Sequence, residues 1–290
     1  MRILFCTDGS KLSFNALRNF SDYVCGDVIV DVICVIDWSF LPDDVVIEET
    51  GFVNNCRNVA DTVLEKSKLL IEELGLIVGD VIKHCGSAVE TILEQTEKQC
   101  YEFVVLGSHG KKGLQRWLGS VSREILDETS LPVYVSKVKN KDSRILFATD
   151  GSEFSDKIVD FAIDKLCLER AKIFVCSVSE NPDLLFLDGT LDSNWLLAIQ
   201  AQQEIYAEHA INKVKDKLQK AGISNLESSV ISGSPTVSII DYIKEKEIDL
   251  VILGSRLKTK MEKFLIDSVS KRVIEHSQCD SLIIKTISNN

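Results

Sequence analysis

The chain has little of what marks a disordered, membrane-bound or nucleic-acid-binding protein. Only 4 of its 290 residues are proline and 15 are glycine, which argues against long disordered tracts. The formal net charge is −11, so the surface repels the phosphates of nucleic acids and of anionic membranes. No apolar stretch approaches the ~20 residues that span a bilayer, and the start, MRILFCTDGS, lacks the features of a signal peptide. We therefore expect a globular cytoplasmic protein with no membrane and no nucleic acid among its partners.

Signatures of catalysis and metal binding are also missing. The nine cysteines form no CxxC pair, and no histidine stands with them at the spacing of metal ligands. There is no GxxxxGKS or GxxxxGKT loop and no recognisable Ser-His-Asp set. Cys34 in VDVICVI and Cys176 in KIFVCSV lie within apolar runs, so we expect reduced thiols buried in the core. The sequence thus predicts no metal site and no catalytic residue.

What the sequence does contain is a repeat of about half its length. Residues 2–10 read RILFCTDGS and residues 144–152 read RILFATDGS, which are identical at all but one position. Later landmarks recur at nearly the same offset: VVLGSHG (104–110) with VILGSRL (251–257), LGSVSREIL (118–126) with IDSVSKRVI (266–274), and PVYVSKV (132–138) with DSLIIKT (280–286). We therefore predict two domains, 1–138 and 144–290, joined by the polar linker 139–143.

Within each copy, short apolar runs alternate with longer helical patterns. The predicted strands are 2–7, 28–36, 79–85, 103–108 and 133–137 in the first copy, and 144–149, 171–178, 226–232, 248–254 and 281–286 in the second. Nearly continuous apolar runs indicate strands that are covered on both faces. Their alternation with helices, such as 54–74 and 194–222, predicts a parallel sheet with right-handed crossovers. Ligands of such sheets bind at the carboxyl ends of the strands, where the strand order reverses.

Candidate ligand-binding residues gather at that edge in the first copy. Thr7-Asp8-Gly9-Ser10 follows the first strand, Gly107-Ser108-His109-Gly110 ends the fourth, and Gly119-Ser120-Val121-Ser122 opens a helix after a basic stretch. Glycines let the backbone approach an anion, and a helix N-terminus presents free N–H groups and a partial positive charge. The serine hydroxyls add donors. The pattern predicts a phosphate site, while a simple N-cap and turn-forming glycines remain the alternative.

With these segments, the sequence resembles the universal stress protein family, in which an aspartate follows strand one and Gly-x2-Gly-x9-Gly-Ser follows strand four. The resemblance covers essentially the whole chain, twice. It implies an α/β fold of two five-stranded parallel sheets with strand order 3-2-1-4-5, flavodoxin-like and similar to the adenine-nucleotide α-hydrolases. It also implies that the two copies pair through their last strands as an intrachain pseudo-dimer, with a further homodimer left open.

The resemblance implies an ATP site in the first copy. Asp8 with Thr7 is expected to contact the adenosine, and Val35 to offer its backbone to the adenine. The residues expected around the ribose and the phosphates are Gly107, Ser108, His109, Gly110, Gly119, Ser120, Val121 and Ser122. The nucleotide stays open between ATP, AMP and another adenine nucleotide, with or without Mg²⁺. One departure bears on affinity, because eight residues rather than nine separate Gly110 from Gly119.

The second copy departs further from the family pattern. It keeps Thr149, Asp150, Gly254 and Ser268 at the corresponding positions. The second and third glycines are replaced by Leu257 and Asp267. Leucine restricts a turn that needs positive φ, and an aspartate suits a helix N-cap but repels phosphates. We therefore predict a degenerate second site.

Two classes of function stay open at this point. The first is an ATP-binding or adenine-nucleotide-binding module for stress response or signalling, which acts on an unidentified protein partner. The second is a slow ATPase or nucleotide hydrolase, for which the sequence shows no evident base to activate water. A nucleotide-independent interaction scaffold with a vestigial pocket is the remaining alternative. We favour the binding module and predict at most weak ATPase activity.

Overall fold

A computed structural model describes residues 1–37, 52–108, 118–137, 142–180, 193–257 and 268–287. The strands are β1 Arg2–Cys6, β2 Ile29–Ile36, β3 Ile77–Cys85, β4 Phe103–Gly107, β5 Val133–Ser136, β6 Arg144–Ala148, β7 Lys172–Ser179, β8 Leu226–Ser232, β9 Leu250–Leu257 and β10 Asp280–Ile287. The helices are α1 Lys11–Ser21, α2 Phe52–Glu73, α3 Ala88–Lys98, α4 Ser120–Glu128, α5 Glu153–Lys165, α6 Ser193–Lys220, α7 Pro235–Glu245 and α8 Ser268–His276.

Local sequence signals set the helix ends. Ser10 and Ser152 cap α1 and α5, because each serine side chain accepts a hydrogen bond from the backbone N–H three residues later. Gly222 follows the end of α6 with φ of +87°, a conformation that costs glycine little. The next residue, Ile223, donates its N–H to the carbonyl of Leu218 at 3.0 Å. Gly222 therefore ends α6, as the sequence predicts.

Each copy of the repeat contributes five parallel strands. The described residues divide into two compact units, one on each side of the predicted linker region. In the first unit the strand order is β3-β2-β1-β4-β5, and in the second it is β8-β7-β6-β9-β10. Neighbouring strands in both units pair in parallel. The predicted order 3-2-1-4-5 is thus confirmed for each copy, while the linker at 139–143 and the pairing of the two copies stay predictions.

Both faces of each sheet are buried, which explains the continuous apolar runs. Ile3, Leu4 and Phe5 are consecutive residues of β1 and all are fully buried. Because successive side chains of a strand point to opposite faces, helices must cover both sides of the sheet. The central strand of the second unit, β6, is buried in the same way. Of the helices within the described ranges, none is long and apolar enough to cross a membrane.

Four of the described cysteines are buried free thiols as predicted, whereas Cys85 is only half-buried and Cys100 is exposed. Cys34 and Cys176 are buried free thiols in β2 and β7, as expected from their apolar runs. Cys25 and Cys167 are disulfide-bonded instead. The expectation of reduced thiols throughout was therefore wrong for these two residues. The expectation was drawn from cysteines that lie within apolar runs, whereas Cys25 is exposed and Cys167 is half-buried.

Candidate functional site

The carboxyl ends of β1, β2 and β4 enclose a cavity of about 220 Å³ in the first unit. This is the edge at which the strand order reverses and where the sequence predicts a ligand. Six predicted site residues line the cavity: Thr7, Asp8, Val35, Gly107, Val121 and Ser122. The remaining lining residues are Cys6, Ser13, Ile33, Asp37, Ala88, Ile92 and Leu106. Most of these additions are apolar, so the structure adds a hydrophobic wall to the polar residues that the motif predicts.

A tight turn after β1 places Asp8 at the mouth of this cavity. Thr7 is buried, and its Oγ1 accepts the N–H of Gly9 at 3.1 Å and lies 2.8 Å from Ser13 Oγ. Gly9 has φ of +75°, the left-handed conformation that favours glycine. The exposed Asp8 carboxylate accepts the N–H of Ser10 at 3.0 Å. The turn thus fixes a carboxylate at the entrance, where it can accept hydrogen bonds from ligand hydroxyls.

The backbone of Val35 faces the same cavity. The Thr7 N–H donates to the carbonyl of Ile33 at 3.0 Å, so the backbone groups of Ile33 point toward β1. The backbone N–H and C=O groups of successive residues point to alternate sides of a strand. The backbone groups of Val35, two residues after Ile33, therefore also point toward the side of β1. The pairing of β2 with β1 ends at Ile33, whereas β2 continues to Ile36. The β1-facing edge at Val35 consequently borders the cavity, which suits the contact that the family resemblance implies.

The floor on the other side is built by β4 and the start of α4. The Gly119 N–H donates to the carbonyl of Ser108 at 2.6 Å, and the Ser122 Oγ donates to the carbonyl of Gly107 at 2.8 Å. Gly119 is the N-cap of α4 and has no side chain to satisfy the first N–H groups of the helix. The Ser122 hydroxyl thus donates its hydrogen bond to the Gly107 carbonyl. The sequence analysis expected this hydroxyl to donate to a phosphate instead.

Some of the predicted site residues are not brought to the cavity or cannot be placed. Ser108 is buried and joined to β5 through its N–H, which donates to the carbonyl of Ser136 at 2.7 Å. Ser120 is exposed and does not line the cavity. His109, Gly110 and the basic stretch that follows them lie outside the described residues. Their roles therefore stay predictions.

The second unit has a cavity at the same edge, of about 360 Å³. Thr149, Asp150 and Gly254 line it, as the repeat predicts. The Thr149 Oγ1 accepts the N–H of Gly151 at 3.1 Å, and the Ser270 Oγ donates to the carbonyl of Gly254 at 2.8 Å. These contacts match those of the first copy. Leu257 ends β9 and Ser268 begins α8, with only their backbones described, and Asp267 lies outside the described residues.

The two cavities each contain one buried thiol. Burial raises the pKa of Cys6 above its ordinary value, and it raises the pKa of Cys176 to about 12. Both thiols are therefore protonated at neutral pH and are poor nucleophiles. Within the described ranges, no group of three or more His, Cys, Asp or Glu residues is placed to hold a metal ion.

Comparison with known proteins agrees with the repeat. The model of the universal stress protein family matches residues 1–137 and again 143–285. A universal stress protein of Methanocaldococcus jannaschii is 28% identical over 150 residues, which are 51% of this chain and 84% of that protein. The crystal structure of a universal stress protein from Archaeoglobus fulgidus has a TM-score of 0.68 at 22% identity and covers 100% of this chain and 97% of that one. A putative universal stress protein from Pseudomonas aeruginosa gives 0.64 at 15% identity, covering 98% and 92%.

Proposed function

This chain belongs to the universal stress protein family and carries the family domain twice, and we propose that its first copy binds an adenine nucleotide, with ATP as the ligand. The protein would then act as a nucleotide-dependent module in stress response or signalling. The observation that carries the proposal is the cavity of about 220 Å³ that joins an apolar wall, a carboxylate and a helix start at one sheet edge.

The walls of this cavity fit an adenosine. Ile33, Ala88, Ile92 and Leu106 supply apolar side chains on which a purine ring can lie. The backbone edge at Val35 offers donor and acceptor groups to the ring. The Asp8 carboxylate at the entrance is suited to accept hydrogen bonds from the two ribose hydroxyls, because an ionised carboxylate is an acceptor with several lone pairs.

The start of α4 fits the phosphates. Its first N–H groups have no partner within the helix, and the helix dipole adds a partial positive charge there. Gly107 leaves no Cβ at this point: a Cβ would lie 3.0 Å from the backbone nitrogen of Ser13. The backbone of α1 therefore packs directly against the end of β4. Mg²⁺ would accompany the triphosphate, since it prefers phosphate and carboxylate oxygens.

We propose a binding module rather than an enzyme. The protonated thiol of Cys6 is a poor nucleophile, and the described lining offers only the carboxylates of Asp8 and Asp37 as bases, which the proposal assigns to binding. Slow ATP hydrolysis is the alternative function. A cytoplasmic location and an unidentified protein partner, whose binding would depend on the bound nucleotide, also stay predictions.

Mass spectrometry of ligand released from the purified, denatured chain tests the proposal first, and calorimetry with ATP, AMP and cyclic AMP tests it second. We expect saturable ATP binding at about one site per chain, with turnover in the presence of Mg²⁺ far below the ~1 s⁻¹ common for enzymes. Absence of any saturable adenine-nucleotide binding would refute the proposal. Rapid hydrolysis that is lost in Asp8→Ala would support the enzyme instead.

A further inference from the structure

The second copy keeps a binding cavity although its glycine motif is degenerate. Every residue that lines the first cavity has a counterpart in the second, as the paired registers of the strands show. The second cavity is larger, at about 360 Å³ against about 220 Å³. Phe154 and Ile158 are added to its lining.

The part of the cavity that would receive a nucleoside is preserved. The Thr149 N–H donates to the carbonyl of Cys176 at 2.9 Å, so the backbone of Val178, two residues later, faces the cavity as that of Val35 does in the first copy. Asp150 stands at the position of Asp8, and Glu180 at that of Asp37. Ile239 and Leu253 supply the apolar wall.

The region that would receive phosphates has a different backbone structure in the second copy. β4 ends at Gly107, where its pairing with β5 stops. Its counterpart β9 continues three residues beyond Gly254, to Leu257, and pairs with β10 along this whole length, up to Ile287. An extended, ladder-paired backbone does not form the concave array of successive N–H groups that binds anions. The strand therefore replaces the start of the phosphate loop.

No cation lines the described part of the second cavity. Its described ionisable lining residues are Asp150, Glu180 and the Cys176 thiol, which is neutral because burial raises its pKa to about 12. The first cavity likewise has two carboxylates among its described residues, so the difference between the copies lies in the backbone of β9.

We propose that the second cavity binds an uncharged purine nucleoside, of the adenosine class, and rejects nucleoside phosphates. The choice of adenine rests on the proposed function of the first copy, because the residues that would surround the nucleoside correspond in the two cavities. The ribose hydroxyls would donate to Asp150, and the ring would lie against Phe154 and Leu253. The chain would then sense two forms of one metabolite class, one phosphorylated and one not.

The test is a calorimetric titration of adenosine into the full chain saturated with ATP. We expect one adenosine site per chain to remain, and at least a hundredfold weaker binding of ATP there. Val178→Trp at the mouth of the second cavity should remove this adenosine site and change ATP affinity by less than twofold. The matched Val35→Trp should remove the ATP site and leave adenosine binding at the second.

Two results would overturn the inference. If saturating ATP abolishes all adenosine binding, a single shared site explains both ligands. If the remaining adenosine site survives Val178→Trp, it lies elsewhere. Ala148→Leu, at another wall of the same cavity, must give the same loss as Val178→Trp, and an unchanged urea midpoint in both variants separates a filled cavity from a misfolded domain. Failure of the proposed function looks different, because the unmodified chain would then show no ATP site.

Discussion

Ser155 donates a hydrogen bond from its Oγ to the Oδ1 of Asp150, whereas its counterpart Ser13 donates to the carbonyl of Ser10 at 2.9 Å. The same Oδ1 of Asp150 also accepts the hydroxyl of Ser152 at 2.6 Å. The motif Thr-Asp-Gly-Ser is identical in both copies, yet its carboxylates have different hydrogen-bond partners. Equal residues in equal positions therefore make different hydrogen bonds.

This difference leads to a prediction for nucleotide binding. Asp8→Asn should weaken ATP binding about tenfold, because a hydrogen bond to a charged group contributes about 1.5 kcal/mol or more. Asp150→Asn is the matched control and should leave ATP affinity unchanged, since we assign ATP to the first copy. Calorimetry on both full-length variants measures the two effects. Equal losses in the two variants would contradict the assignment of ATP to one copy.

A second prediction concerns the turn that holds Asp8. Gly9 and Gly26 have nearly the same positive φ, +75° and +73°, so alanine should cost each about 1 kcal/mol of folding free energy through backbone strain. A Cβ on Gly9 would also lie 2.5 Å from Val63 Cγ2, whereas one on Gly26 would meet nothing within 4 Å. Gly9→Ala should therefore destabilise the chain by about 1–3 kcal/mol more than Gly26→Ala.

Urea denaturation of both variants checks this difference. Val63→Ala combined with Gly9→Ala should recover part of it, because the shorter side chain removes the clash. If Gly9→Ala and Gly26→Ala lose the same stability, the contact between the turn and α2 is not a constraint on the site.

The sequence was sufficient for the fold because its signals are repeated and mutually consistent. Each copy alternates apolar strands with helices, and Ser10 and Ser152 mark the same helix start twice. The end of β9 was missed. The residues Ser255 and Arg256 resemble a loop in composition, but they continue the strand because β10 pairs with them. Strand formation there depends on a partner about 30 residues away, which local patterning does not contain.

The sequence predicted six of the residues that line the candidate site, among them Val35 and Val121, but not the rest of its apolar wall. The Asp8 turn and the glycines have a local motif, whereas the apolar wall is assembled from several elements. Ala88 and Ile92 reach the cavity from α3, and their helical spacing alone is equally typical of core residues. Asp31 was missed for a similar reason: it lies inside an apolar run in the sequence, and only the fold shows its partners.

A third prediction tests that buried carboxylate. Asp31 is fully buried and accepts from Arg2 Nε at 2.9 Å and from the Tyr101 hydroxyl at 2.7 Å. Burial raises the pKa of Tyr101, so its hydroxyl remains a donor. Tyr101→Phe should cost about 1–3 kcal/mol of stability, because it removes a donor from a buried charge and leaves the Gln95 amide without its acceptor.

The control for this variant is Tyr242→Phe in the second unit. The Tyr242 hydroxyl lies 3.4 Å from Ser229 Oγ, which is a weak hydrogen bond at best. Its loss should therefore cost only about 0.5 kcal/mol. Chemical denaturation compares the two, and a smaller loss for Tyr101→Phe than for Tyr242→Phe would refute a stabilising role for the Asp31 network.

A final prediction concerns pH and the surface of the second unit. The Glu227 carboxylate lies 2.9 Å from Lys246 Nζ and 3.0 Å from Lys172 Nζ, and hydrogen bonds from Lys246 first, and then Lys172, lower its pKa from 4.5. A carboxyl whose pKa is lower in the folded state stabilises the fold above its unfolded pKa, and this contribution is lost as pH falls through the folded pKa. Glu227→Gln should therefore lower the thermal midpoint at pH 7, by no more than about 2 °C because all three side chains are partly exposed.

The difference in thermal midpoint from the unmodified chain should shrink below pH 4.5, and 1 M NaCl should reduce it at pH 7 by screening. A difference that persists unchanged at low pH would show that the glutamine disturbs packing rather than an ion pair.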